Sequence, residues 1–242
     1  MTEILQIKDL QKSFGPKAVH RGVNLSLKKG ETIGLLGNSG TGKSVLLRCL
    51  IGLETMDAGE VWFQGQRIDL LDETQMLPIR TRISYAFQSG ALFDSLSVYD
   101  NIAYPVREHR RLSEREEELR VREMLQLVHL QDAENLFPSD LSGGMQKRAG
   151  LARAMVLSPD IILYDEPTAG LDPANVENVL EIMNDFKARG VAGIFVTHDI
   201  PAAKKVCDRL LIIDEGRIAF SGTITEFEQS PLPLVKRFQS TT

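Results

Sequence analysis

The chain has 242 residues, of which 43% are hydrophobic and 25% charged, the balance of an ordinary globular protein with one large domain or two small subdomains. A formal net charge of −5 argues against nucleic acid as the main partner, and no run of eighteen apolar residues exists, so we predict no membrane-spanning helix. Cys49 lies in an apolar stretch and is predicted to be a buried free thiol, which implies a reducing compartment.

The first 36 residues are predicted to be rich in β-structure. Residues 23–27 alternate apolar and polar side chains, as a half-buried strand does. A polar turn at 28–31 then leads into residues 32–36, whose apolar run indicates a buried strand. A helix is predicted over residues 45–51.

Between this strand and this helix lies a complete phosphate-binding loop of the pattern Gly-x-x-x-x-Gly-Lys-Ser. Its glycines let the backbone approach phosphate oxygens, so that amide N–H groups and the helix start point at the anion. We expect Lys43 to lie over the β- and γ-phosphates and Ser44 to bind Mg²⁺ through its hydroxyl oxygen. The strand–loop–helix context disfavours a chance glycine- and serine-rich turn. The predicted nucleotide-binding residues of the loop are Gly37, Asn38, Ser39, Gly40, Thr41, Gly42, Lys43 and Ser44.

The middle of the chain predicts a helical insertion between strands. A hairpin over residues 60–68 and a strand over 82–88 precede it. Residues 107–130 are highly charged with helical spacing, and Ser113 with Glu116 makes a capping box.

A second anion-binding sequence follows at residues 141–145, Leu-Ser-Gly-Gly-Met, before a helix that runs through Leu157. A serine and glycines at a helix start present free N–H groups, which suits an anion. Ser142, Gly143 and Gly144 therefore form either a phosphate contact or an ordinary serine-capped helix start.

Residues 161–166 supply the carboxylates that hydrolysis requires. An apolar strand ends in Asp165, which places this carboxylate at the edge of the sheet where α/β proteins bind ligands. Asp165 can hold Mg²⁺ through water, and Glu166 can serve as general base or orient the attacking water. Exposed carboxylate pairs are common, so the prediction depends on the phosphate loop upstream.

Alternating helices and strands fill the rest of the chain. Asp172 is predicted to cap a helix that ends at Gly190, a strand follows over 191–197, and residues 210–220 predict a hairpin. This alternation predicts an α/β fold with a mostly parallel, covered sheet. The final twenty residues contain two prolines and are expected to form a loosely attached helix and arm.

This order of motifs resembles the ATP-binding subunit of ABC transporters over nearly the whole chain. The resemblance implies a P-loop NTPase core with an antiparallel β subdomain and an inserted α-helical subdomain. It assigns residues 1–88 and 159–222 to the core with its β subdomain, 89–158 to the helical subdomain and 223–242 to a C-terminal tail.

The same resemblance implies roles for single residues. Phe14 would stack on adenine, Gln88 would touch the metal and sense the permease, and Asp172 would lie in the loop that crosses a dimer interface. His198 would be the switch histidine near the γ-phosphate, so that Glu166, His198 and Gln88 form the catalytic set. Without the family, Phe14 would be interpreted as core, Gln88 as surface and His198 as structural.

The family also implies how ATP and Mg²⁺ are used. Two copies of the chain would sandwich two ATP molecules, each between the phosphate loop of one copy and Ser142, Gly143 and Gly144 of the other. The predicted metal ligands are Ser44, Gln88 and Asp165. Hydrolysis would then open the homodimer and drive an integral membrane permease.

Three stretches, 87–93, 100–105 and 143–154, are similar to the ATPase of Mla-type phospholipid transport systems. Met145 replaces the common glutamine and Val45 the common threonine, and neither change removes a phosphate donor. The similarity implies a peripheral subunit on the cytoplasmic face of the inner membrane. Its partners would be an MlaE-like permease, an MCE-domain lipid-binding protein and, as an optional component, a STAS-domain protein.

Three alternatives stay open at this point. The first is an ABC ATPase for another cargo, such as amino acids, metals or lipoproteins. The second is an ABC ATPase that acts on DNA, although the long coiled-coil or zinc insertions of that class are absent from the sequence. The third is a nucleotide-binding regulator without turnover, against which Glu166 argues.

Overall fold

The computed structural model describes residues 2–109 and 112–240, which form two sheets and the helices around them. In chain order the strands are β1 Glu3–Phe14, β2 Lys17–Lys28, β3 Thr32–Leu36, β4 Ala58–Phe63, β5 Gln66–Arg67, β6 Ile83–Ala86, β7 Ile161–Asp165, β8 Ala192–Val196, β9 Arg209–Asp214 and β10 Arg217–Thr223. The α-helices are α1 Lys43–Leu50, α2 Glu73–Arg80, α3 Val98–His109, α4 Glu114–Leu127, α5 Gly143–Met155, α6 Pro173–Ala188, α7 Ile200–Val206, α8 Ile224–Gln229 and α9 Pro233–Gln239.

The larger sheet has the order β10-β9-β3-β8-β7-β6 and is parallel except for β10, which pairs antiparallel with β9. Every residue of β3, β7 and β8 is buried, because both faces of the sheet are covered. The prediction of a mostly parallel, covered sheet is therefore confirmed.

The two faces of this sheet belong to two separate apolar cores. Successive side chains of a strand point to opposite faces, so Leu163 packs with α1 and the antiparallel sheet, whereas Tyr164 packs with the helical insertion. The smaller sheet, in the order β2-β1-β4-β5, is antiparallel throughout. It is the predicted β subdomain and includes the predicted 60–68 hairpin, in which Trp62 pairs with Arg67.

The helical insertion differs in one detail from the sequence prediction. The charged segment 107–130 is not one helix, because Arg107 lies at the end of α3 and a new helix starts at Glu114. Ser113 caps α4 through the predicted capping box with Glu116, and this cap fixes the start of the second helix. Residues 110–111 lie outside the described part of the chain.

The C-terminal segment is packed, which contradicts the prediction of a loose arm. Phe227 of α8 and Val235 of α9 are both 0% exposed and join the core beneath the helical insertion. The prolines that suggested a loose arm include Pro233, which begins α9, where its fixed φ and missing N–H are tolerated. Residues 241–242 lie outside the described part of the chain.

Three smaller predictions can be compared directly. Asp172 caps α6 as predicted, and the 210–220 hairpin turns at Glu215 and Gly216, both with positive φ. Cys49 is a buried free thiol. Within residues 2–109 and 112–240, no helix has the length and apolar character needed to cross a membrane.

Candidate nucleotide-binding site

The phosphate loop connects the end of β3 to the start of α1 and requires glycine at particular positions. Gly42, the residue before α1, has φ of 92°, in the left-handed region that glycine tolerates best. A Cβ on Gly42 would lie 2.4 Å from Val19 and 2.9 Å from His20, and one on Gly37 would lie 2.8 Å from Ile213. The loop is therefore held against β2 and β9 with no room for side chains at these glycines.

Lys43 occupies the interior of this loop. It is 6% exposed, and its ammonium group donates hydrogen bonds to the carbonyls of Gly37 at 2.8 Å and Asn38 at 3.1 Å. Burial lowers the pKa of Lys43, while the nearby carboxylates of Glu166 and Asp165 oppose that shift. The first turn of α1 contains no acidic residue, so the cation and the helix start both favour an anion here.

Ser44 and Asp165 meet although 121 residues separate them in the chain. The Ser44 hydroxyl donates to Asp165 Oδ1 at 2.7 Å. Asp165 ends β7, which is separated from β3 by β8, so the sheet order itself brings the carboxylate beside the loop.

Tyr85 is a second side chain that contacts this carboxylate, and the contact was not predicted from the sequence. Its hydroxyl donates to Asp165 Oδ2 at 2.7 Å. Burial, reinforced by the bond to Asp165, raises the pKa of Tyr85 above its usual value, so the phenol stays a proton donor. Nothing in the sequence indicates that β6 lies next to β7, so this contact was not visible there.

Glu166 follows directly and has a strained backbone. Its φ is 48°, which is unusual for a residue with a side chain, and its N–H donates to the carbonyl of Val196 at 3.0 Å. His198 Nδ1 lies 3.7 Å from Glu166 Oε2. The structure therefore brings Glu166 and His198 together beside Lys43 and Asp165, in a position that faces solvent.

Ser142, Gly143 and Gly144 begin α5 and form a different environment. The Ser142 hydroxyl accepts a hydrogen bond from the N–H of Met145 at 3.3 Å, so the serine caps the helix. Ser142 and Gly143 are exposed, and a Cβ on Gly143 would meet no atom within 4 Å. In the described part of the chain, no hydrogen bond or ion pair joins these residues to residues 37–44.

Gln88 lies in the turn after β6 rather than in the strand, which ends at Ala86. It is exposed, and the structure does not bring it into hydrogen-bond contact with Asp165 or Ser44. The same turn is fixed to α5, because Arg153 donates to the carbonyl of Gly90 at 2.8 Å. The turn of Gln88 and α5, the helix that Ser142 caps, therefore form one packed unit.

Phe14 and Asp172 lie at the periphery. Phe14 is 46% exposed at the end of β1, so it is not a core residue, and the ammonium of Lys12 lies 4.7 Å from its ring centroid. The Asp172 carboxylate accepts from the N–H groups of Ala174 and Asn175 at 3.1 Å. Hydrogen bonds, that of the Asn175 side chain foremost, lower the pKa of Asp172.

Two further contacts were not visible in the sequence. The Lys147 ammonium of α5 donates to the carbonyl of Ala169, three residues beyond Glu166, and burial lowers the pKa of Lys147 while Glu166 opposes that shift. A cavity of about 350 Å³ lies between the phosphate loop, His198 and the C-terminal helix α9, whose Arg237 and Phe238 line it. The C-terminal segment thus reaches the candidate site.

The donor set fits Mg²⁺. The hydroxyl oxygen of Ser44 and the carboxylate of Asp165 are hard oxygen ligands, which Mg²⁺ prefers together with phosphate oxygens and water. Among the residues that the structure describes, no group of three or more His, Cys, Asp and Glu side chains could hold a metal. Ser44 and Asp165 are too few to hold a metal alone. They fit a Mg²⁺ whose other ligands are phosphate oxygens and water.

A strand, a glycine loop and a helix, with a carboxylate ending a nearby parallel strand, define a phosphate-loop nucleotide-binding protein. The model of the ABC transporter family matches residues 20–169. The chain belongs to the ABC transporter family.

Relatives agree on the family and differ in cargo. The methionine import ATP-binding protein MetN of Brucella abortus (strain 2308) is 37% identical over 229 residues, 94% of this chain and 62% of the relative. The chain thus spans less than two thirds of MetN. The intermembrane phospholipid transport system ATP-binding protein MlaF of Escherichia coli (strain K12) is 35% identical over 239 residues, 98% of this chain and 89% of the relative.

A solved structure supports the fold. The dimeric ATP-binding cassette MJ0796, in a post-hydrolysis state bound to ADP and Pi, superposes with a TM-score of 0.85 at 29% identity. The match covers 91% of this chain and 99% of the cassette. The predicted fold class, an ABC ATPase core with β and helical subdomains, is confirmed.

Proposed function

We propose that this chain is the ATP-hydrolysing subunit of an ABC transporter that moves phospholipid between the inner and outer membranes. The observation that carries the ATPase assignment is the 2.7 Å hydrogen bond from Ser44 to Asp165, which joins the phosphate loop to a metal-binding carboxylate. The family and the resemblance of the dimeric cassette support the same activity.

The residues of this site would divide the work of hydrolysis. Lys43 would exchange its carbonyl partners for phosphate oxygens, and the loop N–H groups would hold the same anion. Mg²⁺ on Ser44 and Asp165 would neutralise charge that develops on the phosphates. Glu166 would orient water and accept its proton, and His198, 3.7 Å from Glu166, would lie beside the γ-phosphate.

The second half of each site would come from another copy of the chain. Ser142 and Gly143 are exposed at the start of α5, and among the described residues no hydrogen bond joins them to the phosphate loop of their own chain. We propose a homodimer in which these residues bind the γ-phosphate held by the partner. Asp172 would lie at the dimer interface and Phe14 would stack on adenine. Gln88 would reach the metal when the dimer closes. The dimeric cassette supports this arrangement.

An exposed apolar groove would receive the permease. It is a cavity of about 370 Å³ that follows the turn of Gln88, and Phe87, Phe93 and Tyr104 line it with 38%, 45% and 41% of their surface exposed. Such a cluster of exposed aromatic side chains is typical of a protein interface. The subunit would thereby lie on the cytoplasmic face of the inner membrane.

Phospholipid is the cargo that we favour, and the permease would then act with an MCE-domain protein and, optionally, a STAS-domain protein. The similarity of residues 87–93, 100–105 and 143–154 to Mla-type ATPases supports it, as does the match to MlaF. Methionine or another amino acid is the second candidate, because the identity to MetN, 37%, is slightly higher than the 35% identity to MlaF.

Two measurements test the proposal. The purified chain should release phosphate from ATP only when Mg²⁺ is present, and a chain that binds ATP without releasing phosphate would be a regulator instead. Purification from detergent-solubilised membranes should then recover a multi-span permease with bound phospholipid. Recovery of an amino-acid receptor in place of lipid would support the import of amino acids.

A further inference from the structure

Of the two described side chains that donate hydrogen bonds to Asp165, Ser44 and Tyr85, it is Tyr85 that also lines the apolar groove. It projects from β6, whose register places Tyr85 opposite Leu163 of β7, two residues before Asp165. Its hydroxyl reaches Asp165 Oδ2, while its ring lines the groove.

The hydrogen bonds of Asp165 explain why this contact is important. Ser44 donates to one carboxylate oxygen and Tyr85 to the other, both at 2.7 Å. Asp165 is 9% exposed, so little water is available to replace a lost donor. Partners of this kind fix the orientation of a metal-binding carboxylate, and their loss typically costs about 10–100-fold in metal affinity or activity.

The ring of Tyr85 has a second neighbour at the groove. Its centroid lies 4.4 Å from that of Phe87, an exposed residue directly after β6 and next to Gln88. A separate aromatic pair, Phe93 and Tyr104 with centroids 5.0 Å apart, lines the same groove. A segment that enters the groove and displaces Phe87 therefore acts on the ring whose hydroxyl holds Asp165.

We propose that Tyr85 is a positioning residue that orients the metal-binding carboxylate of Asp165 and connects it to the occupancy of the apolar groove through Phe87. It does not touch substrate. This inference rests on the proposed ATPase function, since it concerns the Mg²⁺ that accompanies ATP.

The test measures metal binding rather than turnover. Mn²⁺, which electron paramagnetic resonance detects, is titrated into ATP-bound chain carrying Glu166→Gln to prevent hydrolysis. Adding Tyr85→Phe, which keeps the ring, should weaken Mn²⁺ binding about 10-fold or more. ATP affinity in the presence of EDTA should not change. Tyr164→Phe removes a hydroxyl from the buried residue that precedes Asp165 in β7 and should leave Mn²⁺ binding unchanged.

The outcomes separate this inference from the proposed function. Equal Mn²⁺ affinities for Tyr85→Phe and its parent, or equal losses in both tyrosine variants, would overturn the positioning role. A parent chain that binds no ATP would overturn the ATPase proposal itself. Thermal unfolding of each variant, followed by circular dichroism, verifies that the proteins compared are folded.

A second pair of variants tests the connection to the groove. Phe87→Ala removes the ring against which Tyr85 packs and should weaken Mn²⁺ binding a few-fold, less than Tyr85→Phe does, because the hydroxyl of Tyr85 is kept. Tyr104→Ala opens the same groove beside Phe93 and should not change it. Equal Mn²⁺ affinities for Phe87→Ala and Tyr104→Ala would refute the connection to the groove. The role of the Tyr85–Asp165 contact is decided by the first test.

Discussion

The start of α1 and the start of α5 use the same physical device in opposite surroundings. Each follows a serine- and glycine-containing segment and presents free N–H groups to an anion. At α1 the cation Lys43 is 6% exposed, and Asp165 completes the site from another strand. At α5, Ser142 and Gly143 lie exposed, and a Cβ on Gly143 would meet no described atom within 4 Å.

This difference indicates what each region can do alone. The α1 region has the lysine, the proposed metal ligands and, next to them, Glu166, so we expect one chain to bind nucleotide. The exposed start of α5, at Ser142 and Gly143, offers neutral donors, and we expect its anion to come from another copy of the chain. Substitutions in the α1 region should therefore impair ATP binding or hydrolysis. Substitutions at the start of α5 should instead impair dimerisation.

The largest expected effect is that of Glu166→Gln. It removes the proposed proton acceptor but keeps size and polarity, so turnover should fall about 10²–10⁴-fold, while ATP-dependent pairing persists. Phosphate release and analytical ultracentrifugation measure the two properties. Glu181→Gln, on the exposed face of α6, is the control and should turn over normally. Normal turnover of Glu166→Gln would show that another group activates water.

Lys43→Ala should weaken ATP binding itself about 10–100-fold, which corresponds to the loss of a charge-assisted hydrogen bond of about 1.5–3 kcal/mol. Calorimetric titration of ATP measures the affinity in the single chain. Lys204→Ala, which breaks only a surface ion pair with Glu228, is the control. An unchanged affinity for Lys43→Ala would remove the phosphate-loop assignment.

Ser142→Ala should act on pairing and not on single-chain affinity. It removes a helix cap and the proposed phosphate donor, a loss of about 0.5–2 kcal/mol, or roughly 2- to 30-fold in ATP-dependent dimerisation. Thr223→Ala removes the cap of α8 in the same way, away from the site, and should leave dimerisation unchanged. Weaker ATP binding by the Ser142→Ala monomer would place this residue in the site of its own chain.

The smallest effect concerns stability at low pH. His20 is 1% exposed beside Gly42, and burial lowers its pKa in the folded chain. The unfolded chain therefore binds the proton first as the pH falls below about 6.5, so this residue removes stability below that pH and none above it. The free energy of unfolding in urea is measured at pH 7.5 and 5.5. It should fall less between these two pH values for His20→Leu than for wild type. His109→Leu, an exposed position, should retain the wild-type loss.

Local patterns were sufficient to predict much of the α1 region. The glycine loop, the buried strand before it and the strand that ends in Asp165 are contiguous motifs with a direct physical interpretation. The helix cap at Ser113 was predicted from residues 113–116 alone, because a capping box is also a contiguous motif.

The contacts that the sequence did not reveal are those between distant segments. Tyr85 meets Asp165 across 80 residues because β6 pairs with β7, and strand order is not visible in a local pattern. The packing of α9 was missed because Val235 finds its buried position only in the complete core. Charged residues with helical spacing occur both at the end of α3 and along α4. The periodicity of residues 107–130 therefore did not reveal that two helices share this segment.

The dependence of turnover on chain concentration tests most directly whether each site needs two copies. Phosphate release per chain is measured over a dilution series at saturating ATP and Mg²⁺, with the oligomeric state followed by ultracentrifugation. The activity per chain should rise with concentration in parallel with the dimer fraction. A constant activity per chain in solutions that contain only monomer would contradict the shared site.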